Sequence, residues 1–392
     1  MVSAGFAHTI LLQKNGRAVA CGLNVDGQCN IPPLDEGVTY TQVSAGLCHT
    51  VLLRSDGSAV AFGKNGDGQC NIPPLDEGIF YTQVSAGHRH TVLLQSDGHA
   101  VACGLDFHGQ CSIPSLDEGM AYTQVSAGGS HTALLRSDGS AIAFGRNDDH
   151  QCKIPPLDEG MSYTQVSAGD KHTVLLRSDG VAVSCSYDGG DIPPLEPLDE
   201  EMSYTQVSAG VGYTLLLRSD GHAVACGNIA DGQGNIPPLA EGVSYTQVSA
   251  NGKHILLLRS DGNVVGCGKN TFGQCNIPPP DPENGYIGDR FVNRDLILQL
   301  DFLHKDDGIL LRCSNLGGQE EVCFALLGSE VALNLHKRIA RQLRVSLASL
   351  RLVMPNGELL SSICSANPLV TVAEVSELGV LPVTWVAKLA WN

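Results

Sequence analysis

The sequence predicts a mainly β chain, a seven-bladed β-propeller over residues 1–288 followed by a small α+β domain. Three observations carry this expectation. The tetrapeptide VSAG begins at Val2, Val43, Val84, Val125, Val166 and Val207, and VSAN begins at Val248, so the chain repeats every 41 residues. Each copy consists of short Val-, Leu- and Thr-rich runs separated by Gly-containing turns, with no helical period. The repetition stops at the boundary segment IPPPDPENG, after which the pattern changes. A fixed period near 40 residues means a unit that cannot bury its apolar face alone and must stack on its neighbours.

Three strands are expected in each copy, from the runs TQVSA, HTVLLRS and SAVAFG. The turn between the second and third is SDG in six copies and KNG (Lys14, Asn15, Gly16) in the first, which reads as a two-residue hairpin. The GQCNIPPLDEG segment carries two prolines, so it supplies at most a short outer strand and a crossover. Closure of the ring is also expected. The chain starts inside a first strand that lacks its YTQ half, and Tyr286-Ile287-Gly288 stands where that half belongs, nine residues after Ile277 as Tyr40 is nine after Ile31.

Bulk properties narrow the function classes. With 43% hydrophobic and 17% charged residues the chain is globular, and no apolar run has signal or membrane-spanning length. The expectation is a soluble protein of the cytoplasm or nucleus. Residues 1–288 hold 14 Lys and Arg against 30 Asp and Glu, net −16, while residues 289–392 hold 10 against 11. Such acidity repels phosphate backbones, so neither nucleic acid nor membrane is expected as a partner. Much of it sits in one repeated loop, Asp35-Glu36, Asp76-Glu77, Asp117-Glu118 and Asp158-Glu159, read as a solvated ring.

Fourteen cysteines recur mainly at two repeat positions, Cys21, Cys103, Cys185, Cys226 and Cys267, and Cys29, Cys70, Cys111, Cys152 and Cys275. Phe62 and Phe144 share the first position, which marks it as apolar, and reduced core thiols are expected. Paired CxxC spacing is absent, so no metal or cofactor is expected. A histidine recurs at His8, His49, His90, His131, His172 and His254, with Tyr213 in the sixth copy. Since a tyrosine replaces one of them, the expectation is a structural side chain bonded to its own blade's turn, with no catalytic residue.

Strand parity places the loop after strand one (SAGxxH) and the loop after strand three (GxNxxGQ) on one face, opposite the SDG turn. These same-face loops vary most between copies. A rigid ring with varied loops suits recognition of a protein surface. Phe6, Arg89, Phe107, Arg146, Lys171, Lys253 and Phe272 are the candidate anchors, because aromatic residues and arginine dominate binding energies. Drift at exposed positions is the alternative reading. Copy five is shortened by three residues between Cys185 and Ile192, and is either a partner notch around Tyr187 and Asp188 or a tolerated loop change.

Repeats of the form SAGxxHTxxLxSDGxxxxxGxNxxGQ followed by IPP resemble those of the regulator of chromosome condensation superfamily. The short GQCNIPP form is most similar to the branch that contains the second-type β-lactamase inhibitor protein. The resemblance implies the seven-bladed fold, but not one function, since the superfamily includes an exchange factor, ubiquitin ligase modules, a light receptor and an inhibitor.

Beyond a linker at 289–308 that contains a strand-like stretch, residues 309–392 read as a hairpin (309–313 and 321–327), a helix near 331–343, and strands at 350–354 and 382–389. That order resembles a ubiquitin-like β-grasp domain. Val353 falls at the position of an apolar docking residue in such domains, or is a core valine. The function expected is a non-enzymatic interaction scaffold or adaptor, with a ubiquitin ligase pathway as one setting and a second protein partner at the ubiquitin-like domain. The alternatives are a guanine nucleotide exchange factor for a small GTPase and a protein inhibitor of a hydrolase.

Overall fold

The computed structural model describes residues 1–186, 202–279 and 285–286, and five strands of the carboxy-terminal stretch. The chain divides into two compact units, Met1–Gln95 with His99–Val292, and Ser96–Gly98 with Asn293–Asn392.

The first unit holds seven three-stranded antiparallel sheets, one per copy. In copy two the strands are Tyr40–Ala45, His49–Arg54 and Ala59–Gly63. Val43 faces Leu52 across the first pair, and Thr50 faces Phe62 across the second. The middle strand is buried from His49 to Leu53 because neighbouring sheets cover both its faces. This explains why HTVLL is a continuous apolar run where a half-exposed strand would alternate.

Each copy completes its core with the next. Ile10 and Leu12 of copy one pack with Tyr40, Val43, Ala45 and Leu52 of copy two, and Ile31 and Leu34 of the connecting segment join them. Polar side chains repeat the same step: the Gln42 amide oxygen accepts from the Val84 N–H at 2.6 Å, and Ser44 Oγ from the Ala86 N–H at 2.9 Å. The seventh sheet bonds the first in the same way, through Gln247 to the Val2 N–H and Ser249 Oγ to the Ala4 N–H, both at 3.0 Å. Tyr286 pairs antiparallel with Gln13 and packs with Val2, Ala4, Leu11, Leu256 and Leu258. It thus fills the position in copy one that Tyr40 fills in copy two, and its hydroxyl donates to Pro278 O as that of Tyr40 donates to Pro32 O.

One local expectation is corrected. The SDG connection is a three-residue loop, in which Arg54 N–H donates to Ser58 O and Gly57 N–H donates to Arg54 O. A two-residue type I′ turn needs positive φ at both central residues, and here only Gly57 has it, at 83°. The proline segment forms no fourth strand among the described residues; it runs as a crossover anchored by its Ile and Leu.

In the second unit the described strands are Leu296–Lys305, Gly308–Asn315, Glu320–Leu326, Leu350–Val353 and Thr384–Leu389. They form one antiparallel sheet, with Leu296–Lys305 in the centre between Gly308–Asn315 and Thr384–Leu389. The strand-like stretch expected within the linker supplies the middle strand: residues 298–305 pair along one edge and 296–301 along the other. A ubiquitin-like order starting at residue 309 leaves that strand out, so the described sheet does not show it. The helix expected near 331–343 lies outside the described residues.

The Gly of each SAG is required by close approach. A Cβ on Gly87 would lie 2.5 Å from the Gly128 carbonyl oxygen and 2.6 Å from His90 Cε1, whereas one on Gly66 would meet nothing within 4 Å. Gly87→Ala is expected to destabilise the ring by about 2 kcal/mol or more, as overpacking does. Gly66→Ala should be close to neutral, and equal urea midpoints for the two variants would refute the argument.

Candidate interaction face

The repeat histidines are buried, with exposures from 0% to 2%, and their partner is not the one expected. His49 Nε2 meets Thr91 Oγ1 of the next blade at 3.0 Å, and the same cross-blade contact recurs at His8–Thr50, His90–Thr132, His131–Thr173, His172–Thr214 and His254–Thr9. Thr91 Oγ1 in turn donates to Gln69 O at 2.7 Å, so the threonine proton is committed and the histidine Nε2–H is the donor. The result is a belt of Gln carbonyl, Thr hydroxyl and His imidazole that ties each blade to the next. Burial first, then neighbouring histidines, pushes His8, His90 and His131 down to about 3, and burial pushes His172 and His254 down to about 4.

Copy six shows why the belt has one exception. Where copies one to six have Thr, copy seven has Ile255, and the preceding blade has Tyr213 where the others have His. The Tyr213 hydroxyl bypasses the missing threonine and donates to His254 O at 2.7 Å, while its ring packs on Ile255.

The cysteines form no disulfide among the described residues, and only Cys185 is fully buried; the other ten are half-buried on the outer strands and loops. Cys185, Cys226 and Cys267 pack with the hydrophobic clusters of the blades. Thiols bond carbonyls, as Cys29 Sγ does to Leu23 O at 3.3 Å, and burial pushes Cys21 and Cys111 up to about 12. No group of three or more His, Cys, Asp or Glu that could hold a metal occurs among the described residues.

The two varied loops do share a face. Leu105 N–H donates to Arg89 O at 2.8 Å, and Lys269 N–H to Lys253 O at 2.9 Å, so the loop after the outer strand lies against the residues before the histidine. The outer loop is rigidly built: Asn24 Oδ1 accepts from the Cys29 N–H, Gln28 Oε1 accepts from the Asp26 N–H, and the glutamine is fully buried. Only the loop tip is free to differ. In copy four the glycine of the tip is replaced by His150, held at φ 61°, a conformation that a side chain disfavours and that persists where function or packing maintains it.

Among the described residues, seven large apolar side chains are exposed, and five of them sit on this face: Phe6, Val25, Phe107, Ile229 and Phe272. Phe107 is 83% exposed and Val25 81%. Val25 and Ile229 were not among the sequence candidates. Ile229 carried a signal nonetheless, since it replaces the Asn or Asp that caps this loop in copies one, two, three, four and seven. The cationic candidates are tied to aspartates: Arg89 to Asp67 at 3.8 Å, Arg146 to Asp148 at 2.9 Å, and Lys253 to Asp231 at 3.1 Å. Lys171 is exposed. Tyr187 and Asp188 lie outside the described residues, as does the side chain of Val353.

Nearer the axis the loops meet one another. Phe6 of blade one contacts His88 of blade three edge to face at 6.3 Å, and His88 Nδ1 lies 3.5 Å from Asp170 Oδ1 of blade five. Asn251 of blade seven donates to Ala45 O of blade two at 3.3 Å.

Seven three-stranded sheets bonded into a ring define this unit as a propeller-like repeat protein. Residues 2–28, 40–69, 81–110, 122–151 and 245–274 match the regulator of chromosome condensation (RCC1) repeat, so the unit carries repeats of that type. Copies five and six lie outside the match. Solved structures of similar fold include human WBSCR16, with 20% identity, 65% of this chain and 85% of that one covered, and a TM-score of 0.57. The CRINKLY WD40 ectodomain of the Arabidopsis thaliana receptor kinase ACR4 follows at 16% identity, with 69% and 96% covered and a TM-score of 0.55. Prp20p from Saccharomyces cerevisiae, studied for its binding to Gsp1p and histones, has 17% identity, 70% and 83% covered, and a TM-score of 0.54. At these identities the likeness is one of fold. No curated protein sequence matches the chain.

Two predictions follow from the belt. Tyr213→His alone places a buried donor against Ile255 and is expected to cost about 1–3 kcal/mol. Adding Ile255→Thr should recover at least about 1 kcal/mol, measured as coupling in a double-mutant cycle by urea unfolding; strict additivity would refute the pairing. The second concerns acid. The folded pKa of each belt histidine lies below its unfolded value of about 6.5, so the unfolded chain binds more protons and stability falls as pH drops from about 6.5 towards 4. Each histidine adds up to about 1.4 kcal/mol per pH unit over that window. His131→Gln should lower the slope by one proton, and an unchanged slope between about pH 6.5 and 5 would contradict the assignment.

Proposed function

We propose that the ring is a non-enzymatic protein-binding platform whose partner docks on the varied-loop face. The carrying observation is the concentration of exposed large apolar side chains there, on loops whose frames are fixed and whose tips differ. Scattered single apolar residues need no explanation, but five of seven on one face do. The anchors are Phe107, Phe272 and Val25 at the loop tips and Ile229 at the loop's cap position, with Phe6 beside the axis and Arg89, Arg146, Lys171 and Lys253 as a polar surround. The study of Prp20p binding to Gsp1p and histones supports a protein partner for a ring of this fold. The carboxy-terminal unit, ubiquitin-like in sequence pattern, would offer a second docking surface that includes Val353 and links the scaffold to a ubiquitin pathway.

Photo-crosslinking residues placed at 107, at 272 and, on the opposite face, at the exposed Val181 test the assignment in native cells. A shared protein partner is expected at 107 and 272 and not at 181, and Phe107→Ser with Phe272→Ser should weaken its binding about tenfold or more. Equal capture from both faces would sink the assignment. Accelerated nucleotide release from a small GTPase would move the reading to an exchange factor.

A further inference from the structure

Seven equivalent residues at an axis cannot all occupy it, and the loops before the histidines meet there as unlike neighbours. The blades that Phe6, His88 and Asp170 belong to are one, three and five, and in a ring of seven such blades are not adjacent. Their side chains meet past the blade between them: Asp170 lies over Gly129 of blade four, where a Cβ would come within 2.5 Å of Asp170 Oδ1. Beneath them the amides are tied in one pattern: Phe6 N–H to Gly46 O at 3.1 Å, His88 N–H to Gly128 O at 3.1 Å, and Asp170 N–H to Gly210 O at 3.2 Å. His88 sits between the other two, edge to face with Phe6 and 3.5 Å from the Asp170 carboxylate, with its side chain 22% exposed.

We propose that Phe6, His88 and Asp170 form a proton-sensitive clasp, which ties the loops of blades one, three and five together at neutral pH and opens on acidification. The groups that face His88 set its direction. Burial opposes its charge most, the Asp170 carboxylate favours it, and the neighbouring Arg89 guanidinium opposes it, with a net downward shift. The buried rings of His49, His90 and His131 also interact with it electrostatically and add repulsion when charged. Once the clasp opens, the imidazole returns to water and titrates near its ordinary value of about 6.5. A proton thus binds the open state better and shifts the population towards it. The clasp lies on the face proposed for docking, but it rests only on contacts within the chain.

Hydrogen exchange of the full chain reads it directly, since the three tied amides report opening. After correction for intrinsic exchange, wild-type protection at Phe6, His88 and Asp170 should fall together below about pH 6.5, by up to about tenfold per pH unit for one proton, while Val51 to Leu53 stay protected. His88→Gln keeps a donor and an acceptor without titrating, and should abolish the pH effect at all three loops. The same pH dependence in that variant, or three loops that open at different pH, would overturn the proposal. Asp170→Asn provides a second reading if His88→Gln does not fold: it should raise exchange at Phe6 and His88 at about pH 7, and unchanged exchange there would equally overturn the clasp.

Discussion

The ring depends on one contact repeated around it, a histidine laid on the glycine of its own blade and bonded to the threonine of the next. Each part restricts the others. The imidazole fits only because the glycine has no side chain, as the distances at Gly87 show. Its Nε2–H needs an acceptor, and the threonine is free to accept because its own proton goes to a glutamine carbonyl. A buried imidazole without such a partner would be costly. This is why SAG, HT and GQ travel together through the copies although each lies on a different segment.

The exception confirms the coupling by its own chemistry. Ile255 removes the acceptor, and a histidine before it would leave a donor unpaired in an apolar site. Tyr213 resolves this by reaching farther, to a backbone carbonyl, while its ring fills the space against Ile255. Both deviations stood in the sequence, yet as isolated substitutions in neighbouring copies they look unrelated. Only the cross-blade pairing makes them one event.

What was legible in the sequence was whatever the period or parity alone determines. The 41-residue step implied stacked units, the displaced tyrosine implied the completion of the first blade, and the alternation of strands placed the two varied loops together. Contacts between copies were not legible, because a one-dimensional repeat does not say whether a side chain turns to its own blade or to the next. From the repeat alone the histidine therefore reads as bonded to its own turn. The hairpin likewise reads one residue short, since Asp-Gly fits both a two-residue loop and a type I turn closed by a left-handed glycine. In the carboxy-terminal unit, the sequence marks a strand-like stretch within 289–308 but cannot rank it as the sheet's centre.

Variation among the copies has two physical sources, and the distance from the axis separates them. Near the axis, symmetry itself demands difference: seven phenylalanines or seven aspartates cannot converge on one opening, whereas Phe6, His88 and Asp170 can. Differences there satisfy the protein's own packing. At the outer loop tips, neighbouring copies are separated by the width of a blade, and Phe107 meets the ring of His108 on its own tip, edge to face at 5.1 Å. The frame of Asn, Gln and Gly is kept while the tip points to solvent, so packing does not account for an aromatic ring that is 83% exposed. The proposed docking surface therefore rests chiefly on the rim residues, while Phe6, His88 and Asp170 beside the histidines also serve the molecule's own packing.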